Sequence, residues 1–194
     1  MPRLETPRLV LRPPEYCDVP GIAACLGDYD VAKNLANVRH PFGEVDARAF
    51  VTRAHERRAL GEGFCFSILD ARSERFLGCC RLTLASGRYK ISYWIGKDYW
   101  NRGYMTEAAK KLVGFAFHDL KADQVWASWF ADNPASGRVL QKLGFVTVEP
   151  YWRESLARGK AVACIRTTLT RSAFGRRRLD KAARGAELLG ASGG

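Results

Sequence analysis

The chain has 194 residues, 47% hydrophobic and 26% charged, a balance that fits one globular domain with a sizeable core and excludes a fibrous or low-complexity chain. No apolar run approaches the ~20 residues needed to span a bilayer, and Met1-Pro2-Arg3-Leu4-Glu5 lacks the apolar stretch of a signal peptide, so no membrane association and a cytoplasmic location are expected. Net charge is +11 without a long basic block in the body, which argues against specific nucleic-acid binding and leaves room for a polyanionic cofactor or an acidic partner.

Leu9-Val10-Leu11-Arg12 reads as a first strand, closed by Pro13-Pro14. A short helix over 18–26 follows, with Asp18 as N-cap and Pro20 in the first turn. His40 beside Pro41 reads as an exposed loop histidine, with a catalytic base as the rarer alternative. Residues 44–60 predict a helix with Val45, Ala49, Phe50 and Ala54 turned inward, while Arg48, Arg53, Glu56, Arg57 and Arg58 cover the outside. Two strands come next, over 64–69 and 76–84, joined by a polar connection of hairpin length. The six cysteines (Cys17, Cys25, Cys65, Cys79, Cys80, Cys164) have no zinc spacing, so neither a metal nor a structural disulfide is expected.

The central stretch runs from Ile91 to Ala108. Ile91, Tyr93 and Ile95 alternate as a strand, Gly96 breaks it, and an aromatic loop leads through Gly103 into a helix with Ala108, Ala109, Leu112, Val113, Ala116 and Phe117 on one face. A strand, a short loop ending in Gly and then a helix points free backbone N–H groups at an anion. Gly-Lys-Ser/Thr and the three-glycine dinucleotide pattern are both missing. Beyond it, 123–130 predicts a strand, parallel to the earlier one through the helical crossover. Asn133-Pro134 starts another helix, Gly144 stops it, and 162–169 is the last strand. Residues 1–171 form the expected domain; 172–194, rich in Gly, Ala and Arg, read as a basic tail, disordered or a frayed helix.

Two strings carry a family resemblance. Tyr99-Trp100-Asn101-Arg102-Gly103-Tyr104-Met105-Thr106-Glu107-Ala108 resembles the acetyl-CoA signature of the GNAT acyltransferases in its RimJ/RimL-like form, with Asn101 for a frequent glycine and Met105 for a small residue. Asp132-Asn133-Pro134-Ala135-Ser136, continuing to Lys142-Leu143-Gly144-Phe145, resembles the family's second motif, and Leu4 to Arg12 resembles how RimJ/RimL-like chains begin. The resemblance covers residues 4 to about 171. It implies an α+β fold, with a mixed, mostly antiparallel, splayed sheet flanked by about four helices. It also implies an acetyl-CoA-dependent N-acetyltransferase acting through a ternary complex on a primary amine, of a peptide or protein N-terminus or a small molecule.

The same resemblance places the site residues. Backbone N–H groups from Asn101, Arg102, Gly103, Tyr104, Met105 and Thr106 would hold the pyrophosphate, with Arg102 adding charge. Trp94 and Ile95 would offer N–H groups to a developing oxyanion, Asn133 would contact the pantetheine arm, and Arg138 would reach a phosphate. Many relatives carry a Tyr acid where this chain has Leu140, which leaves the Ser136 hydroxyl to protonate the leaving thiolate. RimJ/RimL-like chains commonly place a Glu where this one has Lys90, and an ammonium of pKa ~10.4 takes no proton at neutral pH unless strongly desolvated. Glu149 is then the remaining carboxylate for acceptor binding or general base. Two further readings stay open: a catalytically weak acyl-CoA-binding homologue, and a basic ribosome- or nucleic-acid-associated module. A homodimer is compatible with all three.

Overall fold

The alternating segments come together as one open sheet of eight strands, in the order β1-β2-β3-β4-β5-β6-β8-β7. In chain order they are β1 Leu4–Glu5, β2 Leu9–Arg12, β3 Gly63–Asp70, β4 Phe76–Ala85, β5 Arg88–Ile95, β6 Gln124–Phe130, β7 Val146–Ser155 and β8 Lys160–Thr170. The structure is a computed structural model and describes residues 2–176. Helices α1 Val19–Gly27, α2 Tyr29–Ala32, α3 Glu44–Ala59, α4 Tyr104–His118 and α5 Pro134–Leu143 flank the sheet, and residues 171–176 are also helical. The two helices beyond the expected four are α2 and 171–176, each too short to carry a helical period. Phe174 is buried with its ring 5.2 Å from that of Phe117, so the folded body continues past 171. The remainder of the basic tail lies outside the described residues.

Strand alternation divides the side chains between two layers. On one face α4 lays Leu112, Ala116 and Phe117 against Phe66, Leu82, Ile91 and Val125, all at most 1% exposed. Each such side chain contributes about 1.5–3 kcal/mol by leaving water. On the other face Ile22, Leu26 and Val51 pack with Phe76 and Trp94. The expected inner face of α3 holds at Ala54 and Phe50 but not at Val45. Its buried residues are Ala47, Val51 and Ala54, while Val45 is 83% exposed. Small apolar residues sit on several sides of α3, so its periodicity does not define one face; the contact with α1 does.

Asp18 is also corrected. It precedes α1, but its side chain makes no cap bond. It is 4% exposed and accepts from Arg12 Nη1 (2.9 Å) and Nη2 (2.8 Å), from Ser67 Oγ (2.7 Å) and from Glu15 N (2.9 Å). This cluster ties α1 to β2 and β3.

The feature that positions the site lies at β5 and β6, the parallel pair in an otherwise antiparallel sheet. They pair only at Tyr89↔Val125 and Lys90↔Trp126. Beyond that point β5 stays with β4 and β6 stays with β8, and a wedge opens between them.

Removing the carboxylate of Asp18 strands the Arg12 guanidinium, a loss of about 3–5 kcal/mol for a buried pair broken on one side. Asp18→Ala should lower the urea midpoint accordingly with little change in slope; a loss below about 1 kcal/mol would contradict the role given to this cluster.

Candidate active site

A cavity of about 1130 Å³ passes through the wedge. Asn101, Gly103, Tyr104, Met105 and Thr106 line one end, Asn133 and Ser136 the middle, and Arg57, Arg81, Lys90 and Arg153 the far side. That volume lies just above the usual range of small-molecule sites.

Along β5, strand geometry decides which backbone groups face the wedge. Gly96 N–H donates to the Leu77 carbonyl of the adjoining strand at 2.8 Å. Counting back by alternation through the β4–β5 register turns the Trp94 N–H to β4 and the N–H groups of Ile95, Tyr93 and Ile91 to the wedge. Of the two expected oxyanion donors, Ile95 is therefore brought to the site and Trp94 is not. The Ile95 carbonyl is taken by Trp100 Nε1 at 3.0 Å. The Trp94 side chain instead lines the cavity on the opposite face, beside Phe50 and Phe76.

The anion cradle stands at the start of α4. Gly103, its N-cap, has φ +78°, and Asn101 has φ +60°. Left-handed backbone favours Gly and tolerates Asn, which explains why Asn101 can replace a glycine here. The first hydrogen bond of the helix runs from Glu107 N to Gly103 O at 3.1 Å. The N–H groups of Tyr104, Met105 and Thr106 therefore lack helical acceptors and open onto the cavity. They fit a pyrophosphate, and the partial positive charge of the helix end adds to the fit. Arg102 is exposed beside this cradle and does not line the cavity.

Reasoning from sequence missed Arg8. Its guanidinium pairs with Glu107 at 2.7 Å, donates to the Arg102 carbonyl at 3.1 Å and lies 4.6 Å from the Tyr104 ring centroid. Glu107 also accepts from Thr6 Oγ1 at 2.7 Å, and these bonds together hold its pKa below the ordinary carboxylate value despite partial burial. The β1–β2 turn thus pins the cradle and neutralises the acid next to it.

Ser136 sits in the first turn of α5, where Asn133 caps the helix by accepting from Ser136 N at 3.3 Å. Gly137 lets this turn approach the sheet: a Cβ there would meet the Trp129 ring at 2.8 Å. That approach brings Ser136 to a residue the sequence did not single out. Tyr93 O–H donates to the Ser136 carbonyl at 3.1 Å, and its oxygen is 3.2 Å from Ser136 Oγ. Burial pushes the Tyr93 pKa far up, so the phenol keeps its proton. The alternating position of Tyr93 in the splayed strand was the available signal. Arg138 lines the cavity from the exposed side of α5, and Leu140 is a core residue at 1% exposure.

The remaining candidates divide. Glu149 is paired with Arg166 at 2.6 Å on β7 and is not among the cavity residues. His40 lies outside the cavity too, with its Nε2 3.1 Å from the Gly27 carbonyl. Lys90 lies within it, 4.8 Å from the Trp126 ring centroid. Burial first, and then the charges of Arg153 and Arg81, bring its pKa down to about 8. The desolvation that would let this lysine lose its proton near neutrality is therefore present. Arg53 and Arg57 are exposed on α3, as expected, and also border the same chamber.

Among the described residues, no cluster of His, Cys, Asp or Glu could hold a metal, and no helix is long and apolar enough to cross a membrane.

Residues 8–146 match the family described as acetyltransferase (GNAT) domain. The uncharacterized N-acetyltransferase p20 of Bacillus licheniformis is 29% identical over 149 residues, which are 75% of this chain and 83% of p20. An acetyltransferase (GNAT family) from Bacillus anthracis has a similar fold, with TM-score 0.76 at 22% identity, over 87% of this chain and 98% of that one. So has Mycobacterium smegmatis RimJ, solved in complex with CoA-disulfide, with TM-score 0.74 at 16% identity over 84% and 82% of the two chains.

Two outcomes follow from the geometry. A β-branched side chain at Gly103 cannot hold its left-handed backbone without strain. Gly103→Val should weaken acetyl-CoA binding by at least about 10²-fold, as when two charge-assisted hydrogen bonds are lost, in a protein that still melts cooperatively. Undiminished affinity by calorimetry would remove the cradle from the site. For Lys90 the folded pKa, about 8, lies below the ordinary 10.5, so between those values the unfolded chain holds a proton that the folded chain has released. Wild-type stability should therefore rise with pH across that window. Lys90→Met should exceed wild type in stability by a margin largest below pH ~8 and shrinking toward pH ~10.5. A pH-independent margin in urea titrations would contradict the assignment.

Proposed function

The chain belongs to the acetyltransferase (GNAT) family and is an N-acetyltransferase, and we propose that it carries an acetyl group from acetyl-CoA directly to the primary amine of a peptide N-terminus or a small molecule. The observation that carries this reading is the continuity of the cavity, from the N–H groups of Tyr104–Thr106 through the wedge to a chamber on the other face of the sheet. A ternary complex needs two entrances to one reacting point. The cradle at Asn101, Gly103, Tyr104, Met105 and Thr106 would receive the phosphates, with Arg138 at the rim. Ile91, Tyr93 and Ile95 would offer the splayed backbone to the pantetheine arm.

When bound, acetyl-CoA supplies an activated thioester whose C–S bond breaks as a C–N bond forms. The chain's own part is to place donors and exclude water. Ile95 N–H faces the wedge and would receive the negative charge that grows on the carbonyl oxygen. Ser136 holds a hydroxyl proton at the α5 N-terminus, where partial positive charge favours a leaving thiolate. Tyr93 acts through Ser136: bonded to the serine carbonyl and 3.2 Å from Oγ, the phenol keeps its own proton and holds the hydroxyl in place to give its proton to the sulfur. The serine is then reprotonated through water by the proton that the acceptor nitrogen gives up. That nitrogen must arrive uncharged, and the positive chamber at Arg57, Arg81 and Arg153 disfavours an ammonium there.

The paired hydroxyls also speak against a catalytically silent homologue, which has no use for them. Ser136→Ala should lower kcat by on the order of 10²-fold and leave acetyl-CoA affinity nearly intact. Tyr93→Phe keeps the ring and should cost less, about 10-fold. Thiol release from acetyl-CoA, first screened with a peptide and amine panel, reads both. If neither substitution slows turnover, Ser136 is not the acid.

A further inference from the structure

The chamber on the α3 side of the wedge is not charge-balanced. Its lining contains two carboxylates, Asp30 and Asp132, and both are already paired, Asp30 with Lys33 and Lys97, Asp132 with Arg158. Five cations also line it from four elements: Arg53 and Arg57 on α3, Arg81 on β4, Lys90 on β5 and Arg153 on β7. Among the described residues none of these five has a carboxylate within ion-pair distance. Arg81 is largely buried, and its hydrogen bond goes to the neutral Ser92 Oγ at 2.9 Å. Arg153 has the amide of Asn37 at 3.3 Å. Nearby Arg166 differs, since Glu149 neutralises it.

Arg53 and Arg57 are exposed at the chamber's rim, but Arg81, Lys90 and Arg153 are half-buried, and solvated surface charge does not explain those three. Removing a guanidinium from water without a counter-charge opposes folding, and so does bringing cations together. Their mutual effect is visible at Lys90, whose pKa falls through burial and through Arg153 and Arg81, and at Arg81, which Arg57 and Arg153 lower further after burial. Such a site becomes favourable when an anion enters it. The cofactor's phosphates have their own place, at the α4 N-terminus, beyond the wedge and on the far side of Ser136. Side-chain alternation in β5 separates the two regions: Tyr93 faces α4 and α5, whereas Lys90, Ser92 and Trp94 face α1 and α3.

Building on the acetyl-transfer reading, we infer that the acceptor is an amine that also carries an anionic group, a carboxylate or a phosphate, and that Arg57, Arg81, Lys90 and Arg153 bind that group. Arg53 lines the same chamber from α3. The anion anchors the molecule, while the same positive field favours the uncharged form of its amine. Fork-shaped guanidinium groups suit bidentate carboxylate or phosphate recognition.

The test uses three probes with a shared amine: 3-aminopropyl phosphate, β-alanine and 3-amino-1-propanol. Each is titrated by calorimetry into the full chain saturated with coenzyme A, so that the phosphate cradle is blocked. The inference expects one of the two anionic probes to bind at 1:1, and the neutral one to bind at least about 10-fold more weakly. Which anionic probe is favoured separates phosphate from carboxylate recognition. Arg81→Gln and Arg153→Gln should each weaken that binding by roughly 30- to 100-fold, while coenzyme A affinity stays at the wild-type value. Arg153→Gln, at the sheet edge, keeps the test open should Arg81→Gln fail to fold. Anionic probes that bind no better than the alcohol, or equally well to both variants, or only without coenzyme A, would overturn the inference. Binding that obeys these rules without acetylation of any amine would leave the anion site standing and remove the acetyl-transfer reading instead.

Discussion

The parting of β5 from β6 after Lys90 and Trp126 is the constraint on which the site depends. A parallel pair that stops after two residues leaves the wedge side of Ile91–Ile95 without a backbone ladder, inside the protein. Buried N–H and C=O groups need partners, and each left unmet costs about 1–3 kcal/mol. The parting persists because each strand is held elsewhere, β5 along eight residue pairs with β4 and β6 along seven with β8. The structure itself meets one of the exposed groups, through Trp100 on the Ile95 carbonyl. The others are where an extended, amide-bearing ligand arm would be held, so the strain of the fold and the binding of such a ligand have one physical origin.

Charge is organised around that wedge. Acidic groups at its borders are consumed by local pairs: Glu107 with Arg8, Asp132 with Arg158, Asp30 with Lys33 and Lys97. Arg53, Arg57, Arg81, Lys90 and Arg153 in the chamber are not so paired among the described residues. Part of a positive charge that looked diffuse along the chain is therefore gathered at the chamber, where Arg81, Lys90 and Arg153 are partly desolvated and their field is less screened. One field would attract anions, depress the ammonium of Lys90 and disfavour a charged acceptor amine.

Much of this could be read from the sequence because it is written in short-range signals. Gly103 after an aromatic loop and Asn133-Pro134 before a helix are local devices, and the structure brings the cradle residues and Ser136 to one cavity. What could not be read depends on non-local geometry. Tyr93 meets Ser136 across 43 positions, and only the close seating of Gly137 on Trp129 allows it. The phase of α3 was legible only in part, because small apolar residues sit on several of its sides, and nothing local shows that the exposed Arg53 and Arg57 border the cavity. Glu149 looked close to the site along the chain, but it pairs with Arg166 and does not line the cavity, whereas Arg153 on the same strand does. For Lys90 the sequence left desolvation as a condition; the burial and the Arg153 and Arg81 charges that lower its pKa come from residues distant along the chain.

The alternation of the β5 backbone allows a direct test of the wedge as the cofactor's seat. Amide hydrogen exchange, followed residue by residue by NMR with and without coenzyme A, separates the two sets of N–H groups on this strand. The account predicts that added coenzyme A slows exchange at Tyr93 and Ile95 and at Tyr104–Thr106, while Ser92 and Trp94, already bonded to β4, change little. Saturable coenzyme A binding that leaves Tyr93, Ile95 and Tyr104–Thr106 exchanging as before would contradict it.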